Sequence, residues 1–312
     1  MVQRIIFFYC CIIFQIIVYV HPAFSKESYG INHKTVMLLK KADKERKDIS
    51  SAKDRSYSFY KGEILTYKVT YINMIDAGKA ILSASSGYYK GKKVIVLGAQ
   101  AYSAKWFSFL YRVHDATTSF FSPKRCYPYF LIMKRHEGSH NDFMEERLNG
   151  SYEHLIKTDE YKTAWKRLKN GKFLKMLGSN GKYNKPALYK DKINAPWKAF
   201  LSFNDTQDAL SALYYLRLIN LKEGKNYYIP VYENRKRYIV LIKAEGYYNI
   251  DTPAGKFNTI KVKAFLNFNG IFSHKGSLEI YFSTGANHTP VYLVTNVRIG
   301  FMTAILTKKK VF

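Results

Sequence analysis

Two histidines four residues apart flank a carboxylate in His136-Glu137-Gly138-Ser139-His140. On a helix that spacing would place both imidazoles on one face, ready for a transition metal. Gly138-Ser139 instead signals a turn, so the run predicts a surface hairpin and leaves His136 and His140 as weak metal candidates; no metal is expected. A second constellation, Tyr111-Arg112-Val113-His114-Asp115, sets a histidine beside a carboxylate. General acid–base work needs a third group and a pocket. Neighbours on a strand also point to opposite faces. Arg112 and Asp115 are therefore expected in a structural polar site. Arg217 projects from a helical stripe that also carries Tyr214 and Tyr215 nearby. It is expected to pair with Asp115 or Asp208 and hold helix to sheet. The competing reading is a guanidinium that binds an anionic ligand. Nucleophile elbows, phosphate loops and dinucleotide glycine patterns do not occur in the sequence. No catalytic residue and no cofactor are expected, and the balance leans away from an enzyme.

The first residues decide where this chemistry would operate. Arg4 precedes an uncharged apolar run from Ile5 to Val20, then Pro22 and the small-x-small Ala23-Phe24-Ser25. That order predicts a secretory signal peptide over residues 1–25 and a periplasmic destination. An uncleaved inner-membrane anchor is the other reading of the same run. No later run is long and apolar enough to cross a bilayer as a helix. Cys10 and Cys11 would leave with the peptide, so Cys126 could form no internal disulfide; it is expected half-buried between strands. The formal charge of +27 favours anionic partners such as acidic lipid head groups or polyanionic glycans. Export argues against nucleic acid. Bias from an AT-rich genome explains the same lysine, tyrosine and asparagine content.

These residues have to be positioned by a strand-rich chain. Residues 26–57 read as a basic tether, flexible or partly helical. From Tyr60 the hydrophobic period becomes two: Leu65, Tyr67, Val69 and Tyr71 share one face of the first strand. Further runs at 79–86, 94–101, 112–121, 127–134 and 142–148 are separated by turn signals, as in an antiparallel meander. Residues 159–199 are basic and punctuated by Gly and Pro, which reads as an irregular insert with a short helix at 161–168. One clear helix is expected over about 205–219, with Asp205 as N-cap, an apolar stripe through Ala209, Leu210, Leu213 and Leu216, and Gly224 as its terminator. Strands resume around a hairpin at Asn234 and continue to the end. The predicted fold is mainly β: a long curved antiparallel sheet or open β-barrel, with one amphipathic helix packed on its concave face. Residues 58–312 are expected to form a single domain.

Several of these segments resemble a known family. Tyr60-Lys61-Gly62-Glu63-Ile64-Leu65-Thr66-Tyr67, Ala77-Gly78-Lys79-Ala80 and Phe107 to Asp115 resemble the opening of the DUF3108 family. Gln207 to Arg217 resembles its central helix, and Asp251 to Phe257 its second-half turn. The resemblance covers about residues 57–307. It implies an exported bacterial envelope protein of uncharacterised function and supplies no catalytic residues. Where family members place acidic residues after the strand equivalent to Leu278–Phe282, this chain has Ser283-Thr284-Gly285.

The leading functional expectation is an envelope protein, non-enzymatic, that binds or chaperones an apolar or amphiphilic component such as a lipid. A structural or partner-docking module working through a strand edge or the basic insert is the alternative. A glycan-directed hydrolase comes third.

Overall fold

The computed structural model describes residues 37–38, 40–42, 44–45, 58–108, 112–138, 140–147, 153–158, 165–167, 173–175, 206–233, 236–268, 271–296 and 300–312. The expected signal peptide and most of the expected tether and insert lie outside these residues. The strands are β1 (Glu63–Tyr71), β2 (Ile75–Tyr89), β3 (Lys92–Ser103), β4 (His114–Ser122), β5 (Tyr127–Glu137), β6 (His140–Arg147), β7 (Glu153–Thr158), β8 (Trp165–Arg167) and β9 (Phe173–Lys175). After the main helix come β10 (Asn226–Glu233), β11 (Lys236–Thr252), β12 (Gly255–Phe268), β13 (Ile271–Ser283), β14 (Pro290–Asn296) and β15 (Phe301–Val311). Of the helices, α1 (Ser58–Lys61), α2 (Lys105–Ser108) and α3 (Ala209–Leu216) bear on the site.

Thirteen strands form one antiparallel sheet in the order β10-β11-β12-β13-β14-β15-β1-β2-β3-β4-β5-β6-β7. Every neighbour but one is consecutive in the chain. The exception is β15 beside β1, with Tyr67 opposite Leu306 and Glu63 opposite Val311, so the last strand enters the sheet where the first one leaves it. A sheet this long curls under its own twist. Register shifts at Thr66/Tyr67, Val69/Thr70, Phe120/Phe121, Ala244/Gly246 and Ala264/Leu266 sharpen the bend. The expected alternation is there: along β1, Leu65, Tyr67 and Val69 are buried and Lys68 is exposed.

The helix α3 packs against β3, β4 and β5 on one side and β10 on the other. It therefore bridges two arms of the sheet that are far apart in strand order. Of its expected apolar stripe Ala209, Leu210 and Leu216 are buried while Leu213 is only half-buried, and burial extends around the rest of the circumference, taking in Ser211, Ala212, Tyr214 and Tyr215. The N-cap is Asp208 rather than Asp205. The Asp208 carboxylate accepts from Ser211 N at 2.7 Å, and Ser211 Oγ accepts from Asp208 N at 2.9 Å. That reciprocal box fixes the start at Ala209 because both free backbone donors are satisfied there. The helix ends at Arg217, well before Gly224, through tightened bonds from Arg217 N to Tyr214 O and Leu218 N to Tyr215 O.

Two further expectations are corrected. Residues 165–167 are a strand paired with β9, not part of a helix. Cys126 is fully buried, and it sits in the turn between β4 and β5 rather than between strands. Of the segment expected as a tether, the described residues between 37 and 45 are helical, Ala42 is buried, and Lys41 Nζ lies 5.1 Å from the Tyr228 ring on β10.

Candidate functional site

The most concentrated polar chemistry lies where α3 ends against β1. Glu63 occupies the core-facing phase of β1, in step with Leu65 and Tyr67, and its side chain is 0% exposed. Facing it is the Arg217 guanidinium, also 0% exposed. The two pair through both guanidinium amines: Nη1 with Oε1, and Nη2 with Oε2 at 3.1 Å. Arg217 Nε and Nη2 each donate to Asn287 O at 3.1 Å. Aromatic rings close the remaining sides, with the guanidinium carbon 4.7 Å from the Phe59 centroid and 5.1 Å from that of Tyr214. A bidentate, stacked arginine is the geometry that a lysine could not supply.

The surrounding tyrosines are anchored to backbone. Tyr67 donates to Pro290 O at 2.7 Å, and Tyr214 donates to Ser83 O at 3.1 Å. Burial raises both phenols well above their ordinary range. Burial pulls on the Arg217 charge, and the adjacent Glu63 more than restores it, holding the guanidinium above its usual pKa. The 284–290 loop folds over the pair. His288 Nδ1 lies 3.0 Å from Arg217 O, and Lys309 Nζ donates to Thr289 Oγ1 at 2.9 Å. Burial, followed by the nearby Arg217 charge, lowers the His288 pKa, partly countered by that bond.

The predicted residues are thus split. Tyr214 and Arg217 belong to this cluster, but Arg217 pairs with Glu63 and not with Asp115 or Asp208. Tyr215 is buried in the same core. Asp115 is buried on β4, where its Oδ1 accepts from His136 N at 2.9 Å. Arg112 is exposed, and its carbonyl accepts from Gly138 N. Both hold β4 to the β5–β6 hairpin. In that hairpin His136 is opposite Asn141 and His140 opposite Glu137, so the histidines occupy successive register positions. Among the described residues no group of three His, Cys, Asp or Glu could hold a metal. The residue that sequence reasoning missed was Glu63, and its signal was present: a carboxylate in phase with Leu65, Tyr67 and Val69 cannot be buried without a partner.

The Asp208 cap forms a second buried polar site. Ser119 Oγ donates to its Oδ2 at 2.6 Å, and burial raises the carboxyl to about 6 against the bonds that favour the anion. Beside it Gln207 donates to Cys126 O at 2.6 Å, while its backbone N–H reaches Pro230 O at 2.8 Å on β10.

The described pocket lies between β1–β3 and β13–β15, lined by Val69, Ala80, Leu293, Thr295 and Met302 among others, and has a volume of about 20 Å³. Buried Thr295 Oγ1 has no hydrogen-bond partner there. Such a space holds about one water.

A family described as a protein of unknown function, DUF3108, matches residues 66–307. The chain belongs to the DUF3108 family. No curated protein matches it. Among solved structures it is similar to a β-barrel-like protein of the domain of unknown function DUF1849 from Brucella abortus. The identity is 10%, over 81% of this chain and 98% of that one, with a TM-score of 0.46. A protein described as a lipoprotein from Parabacteroides distasonis shows 11% identity over 83% and 100%, with a TM-score of 0.29. A protein described as exported from Bacteroides fragilis shows 10% identity over 80% and 95%, with a TM-score of 0.27. This DUF3108 chain is mostly β, and no described helix is long and apolar enough to cross a membrane.

Proposed function

We propose that this DUF3108 protein is a non-catalytic component of the bacterial cell envelope that holds an apolar or amphiphilic envelope component on its outer surface. The arrangement of Arg4, Ile5–Val20 and Ala23-Phe24-Ser25 supports export. The observation that carries the reading is how closely the described residues pack around the helix. The Glu63–Arg217 pair is buried with Phe59, Tyr67 and Tyr214, and the pocket between β1–β3 and β13–β15 has room for a water rather than an acyl chain. An amphiphile then has to meet the protein from outside. Native mass spectrometry of protein purified from its host should give the bare polypeptide mass. The same preparation should co-sediment with vesicles of envelope lipid. A lipid retained in stoichiometric amount would place the ligand inside and overturn this reading.

A second reading rests on β7, which ends the strand order and could take an added partner strand. In-cell cross-linking after deletion of 160–195 separates the two, since only docking predicts loss of a protein partner from an intact fold.

A further inference from the structure

The β1–β2 connection exposes apolar side chains that an isolated turn would not need. Met74 is 83% exposed, and Ile72 and Ile75 are exposed beside it. Trp106, from α2, is 50% exposed and is pinned to the same tip by its indole N–H, which donates to Asp76 O at 2.9 Å. The backbone is held too: Ile72 N donates to Phe301 O at 2.9 Å, and Met74 N to Tyr71 O at 3.1 Å. The result is an exposed apolar knob of methionine, isoleucine and tryptophan held by backbone bonds.

Its electrostatic setting is one-sided. Lys68 and Lys79 stand directly opposite each other on β1 and β2, both exposed, an arrangement that like charges disfavour. Lys105 is exposed next to Trp106. Among the described residues no carboxylate pairs with these three lysines. On β12 the contrast is plain, where Lys261 sits between Glu245 and Glu279 at 3.0 Å from each. The Asp76 carboxylate at the knob accepts from Gly78 N at 3.2 Å. With a rise of about 3.3 Å per residue, Lys68 lies roughly 10 Å behind the end of β1. That is the depth at which a head-group phosphate would stand if the knob entered the head-group and acyl boundary.

We infer that the Ile72–Ile75 tip with Trp106 is a membrane-docking site, inserting into an anionic lipid surface while Lys68, Lys79 and Lys105 meet its phosphates. The inference rests on the outer-surface reading above and names the site and ligand class for it. Apolar tips supply the insertion energy, tryptophan favours the interface, and the unpaired lysines supply the attraction to anionic lipid.

The test uses the protein purified from its host background carrying Met74→Cys or Tyr88→Cys. Each is labelled with an environment-sensitive dye and mixed with vesicles of phosphatidylglycerol or of phosphatidylcholine. Tyr88 is 76% exposed at the far end of β2, so it reports a surface that should stay in water. The dye at 74 should shift to the blue on phosphatidylglycerol only, and the dye at 88 should not. Lys68→Gln with Lys79→Gln should weaken that response roughly tenfold at low salt and flatten its salt dependence. Vesicle binding with a silent dye at 74, or equal shifts at 74 and 88, overturns the site and leaves the outer-surface reading standing. No binding to either vesicle sinks both. Capture of the tip by a protein, without lipid response, also overturns it.

Discussion

At Glu63 and Arg217 two charges occupy positions where hydrophobic patterning asks for apolar side chains. Their pairing is bidentate, fully desolvated and closed by aromatic rings. Removing one member strands the other, so Arg217→Ala should cost about 3–5 kcal/mol in urea unfolding. Replacing both, with Glu63→Leu and Arg217→Met, should recover most of that loss, because the desolvation cost disappears with the charges. Asp208 gives a different signature. Its carboxyl titrates at about 6 in the fold, above the ordinary 3.8 of an aspartate, so between those values the native state holds more protons than the unfolded chain. Stability contributed by the neutral acid is present below about 4 and is lost as pH rises through 6, a swing of roughly 3 kcal/mol. His288 titrates in the opposite sense, since its lowered pKa removes stability as pH falls below its unfolded value. Comparing Asp208→Asn with the parent isolates the first effect: the variant should lose this decline between pH 4 and 6 while keeping the cap, for which Asn serves as well as Asp. A decline of unchanged size in calorimetry would rule out Asp208 as its source.

At the scale of elements, the strands were readable because one face of each is buried, and a period of two survives wherever that holds. The β1 alternation and the 253–255 turn follow directly from Leu65, Tyr67, Val69 and Pro253-Ala254-Gly255. The helix was readable, but not its ends. Asp205 and Asp208 both satisfy the pattern of a cap, and only the side chain at residue 211 decides between them. The Glu63 partnership was illegible in Arg217 alone, because 154 residues separate the two and the helix offered nearer acids. The β1–β2 hairpin illustrates a constraint that sequence signals only faintly. Gly78, at φ +152°, lies against the backbone of Tyr102 and Ser103, where an added Cβ would collide with Tyr102 O. Gly91, at φ +75°, has open space around it. Gly78→Ala should cost about 2–3 kcal/mol because the obstruction is backbone and cannot rotate away. Gly91→Ala should cost only about 1 kcal/mol for its left-handed conformation. Equal losses in chemical denaturation would mean the close approach is not what selects glycine at 78.

For the whole molecule, the decisive feature is that strand order and chain order disagree at a single seam. β15 joins β1 in the middle of the sheet, and α3 touches β3–β5 and β10 across its interior. The first strand therefore takes its second neighbour from the C-terminus, and neither arm buries the helix alone. Local strand pairs would form quickly, but the β1–β15 pairing and the Glu63–Arg217 contact must close loops of more than a hundred residues before they contribute. Such coupling predicts one transition rather than two. Urea unfolding followed by far-UV circular dichroism should coincide with loss of hydrogen-exchange protection in both β4–β5 and β10–β11. Arg217→Ala should shift all three curves together, because the pair it breaks ties β1 to the helix that both arms bury. If β10–β12 lost protection at a lower urea concentration than β3–β5, the arms would be separate folding units, and the ion pair would be a contact between them instead of part of a shared core.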